Sequence, residues 1–256
     1  MFIVEYDGSR FQGYEVQPGC TTVQGEFEKA LARCFGQPLR ALAAGRTDRG
    51  VHALGQVMAC TVDTKMPMRA IEAAVQAQLP LGIRVRTTRR VHDDFHPRYD
   101  AVRRAYRYVM TETLPRSVLL EPYVTFLRRP LDWTRVEAAA AQLVGDHNFV
   151  SFAKRPIEAV RLERSIEEIC LSRQGPFIHA DFTARSFLRG MIRNIMGWLI
   201  AVGEGRVPPE TMQELLAARV KGRGIEPAPP EGLYLVRVWY PDDSPAKAVD
   251  SAAMSC

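Results

Sequence analysis

The sequence lacks two features that would place it in a membrane or in an oxidising compartment. No stretch of the 256 residues approaches the ~18 consecutive apolar residues that a membrane-spanning helix needs. The five cysteines are widely separated and include no Cys-x-x-Cys pair, which argues against a structural zinc site and a disulfide framework. Both absences favour a protein of the reducing cytoplasm that has no membrane partner.

Lysine is also scarce, because only five of the 34 basic residues are lysines and the rest are arginines. Arginine forms bidentate contacts with phosphate and stacks on bases, so this preference suits an RNA-binding protein. A GC-rich genome would enrich arginine in the same way. The net charge of +5 is too small to decide between the two explanations.

The order of apolar patterns and turn residues predicts an α+β fold built from two ferredoxin-like, or RRM-like, halves. Residues 2–90 read as strand, helix, strand, strand, helix and strand, which is the split βαβ pattern. The second half follows this order in outline, with insertions and without sequence identity to the first. We therefore expect antiparallel sheets that form a central cleft, with halves over 1–98 and 99–242 and a polar tail over 243–256.

Capping and turn residues set the expected ends of the helices. Thr21 and Gln24 predict a capping box at the first helix, and Gly36 predicts its end. Pro67 and Asp132 predict the starts of the second and third helices. The other expected elements are helices over 186–202 and 210–218 and strands over 2–6, 40–44, 56–62, 83–90, 101–110, 123–126, 163–171, 177–184 and 232–240.

The stretch 44–53 carries the first candidate for catalysis, Asp48, which stands between two arginines with a glycine on either side. A tight turn could hold Asp48 in a fixed direction, and Arg46 and Arg49 would lower its pKa if they approach it. An ionised, oriented carboxylate is what an aspartate nucleophile requires. Taken alone, the same residues also fit a surface turn in which Asp48 pairs with its neighbours.

Residues 101–110 are the second informative stretch. A strand here puts Tyr106 and Tyr108 on one face, and Arg103 and Arg107 on the other. Aromatic rings beside cations could stack on a base and hold phosphates. Ordinary cross-strand packing of tyrosines explains the same pattern.

The apolar helix expected over 186–202 carries two arginines, Arg189 and Arg193, four residues apart on the face without large apolar side chains. A cation within so apolar a helix needs an anionic partner unless that face is solvated.

Taken together and in order, these stretches resemble the tRNA pseudouridine synthase A family. The similarity covers nearly everything from Phe2 to Tyr240, and motifs that recur in the same order are far more specific than any one of them. The motifs are Glu5-Tyr6-Asp7-Gly8, Thr22-Val23-Gln24-Gly25, Gly45-Arg46-Thr47-Asp48, Gly50-Val51-His52, Asp94-Phe95-His96, Tyr106-Arg107-Tyr108, Phe149 with Ser151-Phe152, Phe187-Leu188-Arg189, Met191-Ile192-Arg193-Asn194 and Gly232-Leu233-Tyr234.

The resemblance implies the pseudouridine synthase fold and an isomerase that converts uridine to pseudouridine in the anticodon stem-loop of tRNA, at positions 38, 39 or 40. It implies no cofactor and no metal. It also implies a cytoplasmic homodimer with tRNA lying across both subunits. Departures from the family pattern, such as Arg49 in place of an alanine, concern the RNA contacts around the site.

The resemblance also assigns roles to individual residues. Asp48 matches the catalytic carboxylate, and Arg193 matches the arginine that pairs with it. Tyr106 matches the tyrosine that stacks on the target base and can move a proton, and Leu233 matches an apolar residue that packs on the pocket. Attack at the ribose C1′, attack at the base C6 and a glycal route all stay open. The candidate RNA contacts are Arg46, Arg49, Arg103, Arg107 and Arg189.

Two other classes of function compete with this interpretation. A non-catalytic RNA-binding module on the same halves would be expected to carry the RNP1 pattern, which the sequence lacks. A carboxylate-nucleophile hydrolase acting on a nucleoside or sugar needs a second carboxylate as general acid. The stretch 45–53 offers none beyond Asp48, although another segment could supply it.

Overall fold

The computed structural model describes residues 1–113, 115–154, 161–219 and 225–241. The chain forms two compact units. Of the described residues, unit 1 contains Met1–Val102 and residues 234–241, and unit 2 contains those between Arg103 and Leu233. Both units combine helices with a sheet, so the predicted α+β class is confirmed. The polar tail predicted over 243–256 lies outside the described residues.

Unit 1 contains the predicted ferredoxin-like order of elements. The elements are β1 (Phe2–Tyr6), α1 (Val23–Phe35), β2 (Leu42–Ala43), β3 (His52–Ala59), α2 (Met68–Gln78) and β4 (Ile83–Thr88). The sheet has the order β4-β1-β3 with β2 on β3, and all these neighbours are antiparallel. Because β3 lies between β1 and β2, the two strands of the first crossover are separated, which is the split βαβ arrangement.

Helix α1 begins one residue later than the sequence predicted. Thr22, not Thr21, is the N-cap, and its hydroxyl accepts from the Gly25 amide at 3.2 Å. The predicted capping box is wrong, because the Gln24 side chain accepts instead from the amide of Val16 at 3.2 Å. The end at Gly36 is confirmed, and the expected apolar stripe is buried at Val23, Phe27 and Leu31 but only half-buried at Cys34.

The elements of unit 2 are β5 (Arg103–Thr111), β6 (Thr125–Phe126), α3 (Trp133–Ala141), β7 (Gly145–Asn148), β8 (Glu163–Gln174), β9 (Phe177–Ala184), α4 (Met191–Gly203) and α5 (Thr211–Ala218). The sheet has the order β5-β9-β8-β7, with β6 parallel to β5. Three predictions from the sequence are confirmed. Asp132 caps α3 by accepting from the Arg135 amide at 3.2 Å, the β8–β9 hairpin turns at Gly175, and β5 carries the two tyrosines.

The last strand, β10 (Leu233–Trp239), groups with unit 1, whereas the sequence-based division placed it in the second half. It pairs in parallel with β3, with Tyr234 opposite His52. A Cβ on Gly55 would lie only 2.4 Å from the carbonyl oxygen of Val236, so glycine allows the close approach of β3 to this segment. Chain order did not reveal this pairing, because the two strands are separated by most of the sequence.

The sequence argued against a disulfide framework and against a membrane-spanning helix. Cys20, Cys34 and Cys60 are free thiols, as expected for a chain without a disulfide framework. In the described ranges, no helix is long and apolar enough to span a bilayer.

Two tyrosines provide a matched test of the core. Within the part of the chain that the structure describes, the Tyr14 hydroxyl is buried without a hydrogen-bond partner, whereas the hydroxyl of Tyr108 has two partners, Thr125 and Pro229. A buried polar group without a partner costs about 1–3 kcal/mol, and a satisfied one contributes about 1 kcal/mol. Burial of Tyr14 raises the pKa of its phenol well above the ordinary value.

We therefore expect Tyr14→Phe to leave the free energy of unfolding unchanged or to raise it by about 1 kcal/mol, and Tyr108→Phe to lower it by about 1–2 kcal/mol. Both substitutions keep the aromatic ring and remove one hydroxyl oxygen. The difference between their effects on the free energy of unfolding therefore reports the contribution of the Tyr108 hydrogen bonds. Urea denaturation of the two variants measures it. If Tyr14→Phe were the more destabilised variant, the hydroxyl of Tyr14 would have a partner.

Candidate active site

Asp48 lies in the loop of unit 1 that joins β2 to β3, where residues 44–51 form neither strand nor helix. The amide of Val51 donates to the carbonyl of Asp48 at 3.1 Å and closes a tight turn. Gly50 lies inside this turn with a φ of 81°, a left-handed conformation that glycine adopts without strain. The turn fixes the backbone of Asp48, and the residue is half-buried.

The backbone that precedes Asp48 is anchored at two points. The Ala44 amide donates to the carbonyl of Val57 in β3 at 2.9 Å. The carbonyl of Thr47, the residue directly before Asp48, accepts from the Tyr14 amide at 3.1 Å. These bonds tie the loop to the sheet on one side and to residues 7–22 on the other, so the loop has little freedom to shift.

The residues after the turn pack closely against the loop that follows β1. A Cβ on Gly8 would lie 2.0 Å from the carbonyl oxygen of Val51, so only glycine fits there. The Gly8 amide donates to His52 Nδ1 at 3.1 Å, and the His52 ring stacks on Tyr234 with 4.7 Å between centroids. Because Nδ1 accepts this bond, its 3.5 Å approach to Asp7 is not an ion pair. His52 therefore has a structural role.

The two arginines beside Asp48 are both exposed. Arg46 pairs with Glu15 at 2.5 Å, and 58% of the Arg46 side chain is accessible. An ion pair this exposed contributes little to stability. Arg46 therefore has a carboxylate partner other than Asp48.

In unit 2, β5 places Tyr106 and Tyr108 on one face, but the two rings have different surroundings. Tyr106 is 9% exposed and meets Phe187 edge-on at 5.2 Å between centroids. Tyr108 is fully buried, and its hydroxyl lies 2.7 Å from the Thr125 hydroxyl and donates to the Pro229 carbonyl at 2.8 Å. Burial raises the pKa of Tyr108 far above its ordinary value. Tyr106 keeps a small accessible surface, whereas Tyr108 belongs to the core.

Helix α4 begins later than the apolar pattern predicted. The residue before it, Gly190, has a φ of 69°, and the helix starts at Met191 instead of residue 186. A left-handed glycine breaks the helical backbone, so the residues before it pack without being helical. The predicted i, i+4 pair of Arg189 and Arg193 is therefore wrong. Arg189 precedes the helix and is exposed.

Arg193 is firmly held in the first turn of α4. Its Nε donates to the carbonyl of Ala228 at 2.8 Å, and the Ala228 amide donates back to the carbonyl of Arg193 at 2.8 Å. One turn further along, a Cβ on Gly197 would lie 2.2 Å from the carbonyl oxygen of Glu226. The segment 226–228 thus lies directly on α4, and this contact fixes the direction of the Arg193 guanidinium.

The same segment continues to Glu231 and to the buried Leu233, the first residue of β10. Burial raises the pKa of the Glu231 carboxyl, and the charges of Arg193 and Arg116 offset only part of that effect. The sequence did not single out Glu231, because one glutamate in a Pro- and Gly-rich segment forms no pattern.

The other candidate arginines differ in how far their charge is already paired. Arg107 makes a two-pronged contact with Asp181 at 2.7 and 2.8 Å, with side chains only 20% and 9% exposed. Arg103 forms an ion pair with Glu167 at 2.7 Å on a more exposed surface, with side chains 43% and 40% exposed. Arg107 is therefore the less suited of the two to hold a phosphate, because its fork is already occupied.

The segments around the candidate residues match a known family. A family model described as tRNA pseudouridine synthase matches residues 2–100 and 139–241. The chain belongs to this family. Asp48, Arg193 and Leu233 lie inside the two matched segments, and Tyr106 lies between them.

Curated relatives in the tRNA pseudouridine synthase family extend over nearly the whole chain. The tRNA pseudouridine synthase A of Pseudoalteromonas atlantica is 40% identical over 239 residues, which cover 93% of this chain and 91% of the relative. That of Syntrophomonas wolfei is 37% identical over 242 residues, covering 94% and 97%. That of Escherichia fergusonii is 39% identical over 239 residues, covering 93% and 88%. Membership confirms the predicted class of enzyme, an isomerase, over an RNA-binding module or a hydrolase.

Proposed function

We propose that this protein isomerises uridine to pseudouridine in the anticodon stem-loop of tRNA, at positions 38, 39 or 40, with Asp48 as the nucleophile and no cofactor. The observation that carries the proposal is the anchored turn at Asp48 in a member of the tRNA pseudouridine synthase family. Covalent catalysis by a carboxylate needs a group that is held in one direction, and the fixed backbone of this turn supports that role for Asp48.

The chemistry rearranges one nucleoside and needs no redox partner. The bond between ribose C1′ and uracil N1 breaks, the uracil turns in the pocket, and C1′ bonds to C5. A proton leaves C5 and N1 gains one, so the composition is unchanged. In the proposal Tyr106 stacks on the base and moves a proton, Arg193 balances the charge of Asp48, and Leu233 packs on the pocket. The C1′, C6 and glycal routes all use the Asp48 carboxylate.

Binding requires the target base to leave its stack in the tRNA, which costs a few kcal/mol. Stacking on an aromatic ring such as Tyr106 would return about 1–3 kcal/mol. The exposure of Arg46, Arg49 and Arg189 supports a role for them in binding phosphates of the tRNA. Arg107 is a weaker candidate, because its guanidinium already binds Asp181. We extend the proposal to a cytoplasmic homodimer that binds tRNA across both subunits.

Pseudouridine mapping tests the proposal. Purified protein is incubated with unmodified tRNA transcripts that carry uridine at positions 38–40, and with matched transcripts that carry cytidine there. We expect pseudouridine at the uridines of the first set and none in the second. Product at other positions in both sets, or no product in either, would overturn the proposed target.

A further inference from the structure

We propose that Tyr6 and Gln56 are positioning residues for Asp48, acting through Thr47 and Gly45. The inference rests on the proposed function, because it assumes that Asp48 reacts with the substrate. It goes further by assigning a role in the reaction to two core side chains that are not expected to touch the reacting atoms.

The two side chains form a hydrogen-bond chain behind the Asp48 loop. The Tyr6 hydroxyl lies 2.7 Å from the hydroxyl of Thr47, and this contact is buried. Gln56 Nε2 donates to the carbonyl of Gly45 at 2.7 Å and to the Tyr6 hydroxyl at 3.3 Å. These bonds therefore hold the loop at Thr47, one residue before Asp48, and at Gly45, three residues before it.

The direction of these bonds follows from the chemistry of the groups. A backbone carbonyl can only accept, so the Gln56 amide must present its nitrogen to Gly45. The same nitrogen donates to the Tyr6 oxygen. In the bond between the Tyr6 and Thr47 hydroxyls either oxygen can be the donor. The chain of hydrogen bonds thus links Gln56 through Tyr6 to Thr47.

Both side chains belong to paired strands of the unit 1 sheet, Tyr6 at the end of β1 and Gln56 within β3. Val4 of β1 lies opposite Gln56 of β3, and Tyr6 lies opposite Ala53. Tyr6 is 3% exposed and Gln56 is fully buried. A site built on paired strands holds its geometry better than one built on a loop alone, and a misplacement of ~1 Å can cost about 10²-fold in rate.

The side chain of Gln56 places an unpaired polar atom in the core, which is unfavourable for folding and is not explained by core packing. The Oε1 atom of Gln56 is buried and has no hydrogen-bond partner in the described ranges of the chain, and a buried unpaired polar atom is unfavourable. An apolar residue would avoid that cost but could not donate to Gly45. Core positions that break such local rules are expected at functional sites. The signal for this residue in the sequence is a glutamine directly before Val57 and Met58 in an apolar strand.

The test compares turnover with tRNA binding in single-residue variants. We expect Tyr6→Phe and Gln56→Met to lower kcat by about 10- to 100-fold while the Kd for tRNA stays at the wild-type value. Thr47→Val should lose as much, and Thr47→Ser, which keeps the hydroxyl, should restore most of the rate. Tyr14→Phe is the matched control in the same unit, because its hydroxyl has no hydrogen-bond partner among the described residues and the substitution keeps the Tyr14 amide bond to Thr47, so its kcat should not change.

Thermal unfolding and filter binding accompany the rates. Wild-type kcat in Tyr6→Phe and Gln56→Met would overturn the inference, and so would equal losses in Thr47→Ser and Thr47→Val. Parallel losses of kcat, tRNA affinity and folded protein would assign these residues to folding alone and would also overturn it. If Asp48→Asn stays active, the proposed function fails. If Asp48→Asn is inactive and Tyr6→Phe is not impaired, only this inference fails.

Discussion

Replacement of Asp48 by asparagine is expected to lower the single-turnover rate of pseudouridine formation by on the order of 10³-fold or more. Asparagine has the same shape as aspartate and can occupy the same turn, but its amide is not a nucleophile. The turn is held by backbone bonds, including the one from the Val51 amide, and the substitution leaves these in place. The affinity for tRNA should therefore survive while product formation is lost.

The matched control for this experiment is Asp63→Asn, which makes the same chemical change at an exposed residue after β3. Its rate should equal that of the wild type. Rates come from pre-steady-state assays with excess enzyme on labelled transcripts, and affinities from filter binding. An Asp48→Asn enzyme that converts tRNA at the wild-type rate would remove Asp48 from the reaction. Loss of binding together with activity would give the loop a structural role.

Replacement of Arg193 is expected to have the second largest effect. Arg193→Met removes the positive charge and should lower the rate by about 10²- to 10³-fold, as expected when a preorganised charge-stabilising group is lost. Arg193→Lys keeps a charge but loses the flat fork, including the Nε that donates to Ala228 at 2.8 Å. Lysine is a mobile point charge, so we expect only partial recovery, to about 10-fold below wild type.

The control is Arg69→Met, at an exposed position on α2, which should keep the wild-type rate. Urea denaturation separates the structural role of Arg193, its hydrogen bond to Ala228, from the role of its positive charge. Both variants lose the bond to Ala228, so this loss alone would lower the free energy of unfolding equally in the lysine and methionine variants. Equal stability with unequal rates supports a charge role. Equal rates in Arg193→Lys and Arg193→Met would contradict it.

Local signals in the sequence predicted the elements well where a cap or turn decides them. Asp132 begins α3, Gly36 ends α1 and Gly175 turns the β8–β9 hairpin, because each acts on residues within one or two turns of itself. The predictions were wrong where a local sequence pattern is compatible with two different structures. Thr21 and Thr22 are both good caps, and the apolar residues before Gly190 fit a helix that the backbone does not form.

The candidate site was predicted less completely than the fold. The Asp48 stretch stood out through its residue types, but the sequence could not assign partners to the arginines. Arg46 pairs with Glu15, and Arg107 with Asp181, a residue far along the chain on β9. Ion pairs form between side chains that strand register brings together, and register is a property of the whole sheet.

The sequence by itself determined the order of elements, the motif around Asp48 and, through a resemblance along most of the chain, the family. It could do so because periodicity, caps and motifs are written in neighbouring residues. Only the tertiary structure decided that β10 pairs with β3, that Ala228 holds Arg193, and that Tyr6 and Gln56 lie behind the Asp48 loop. These contacts join residues 11 to 182 positions apart, so no local pattern encodes them.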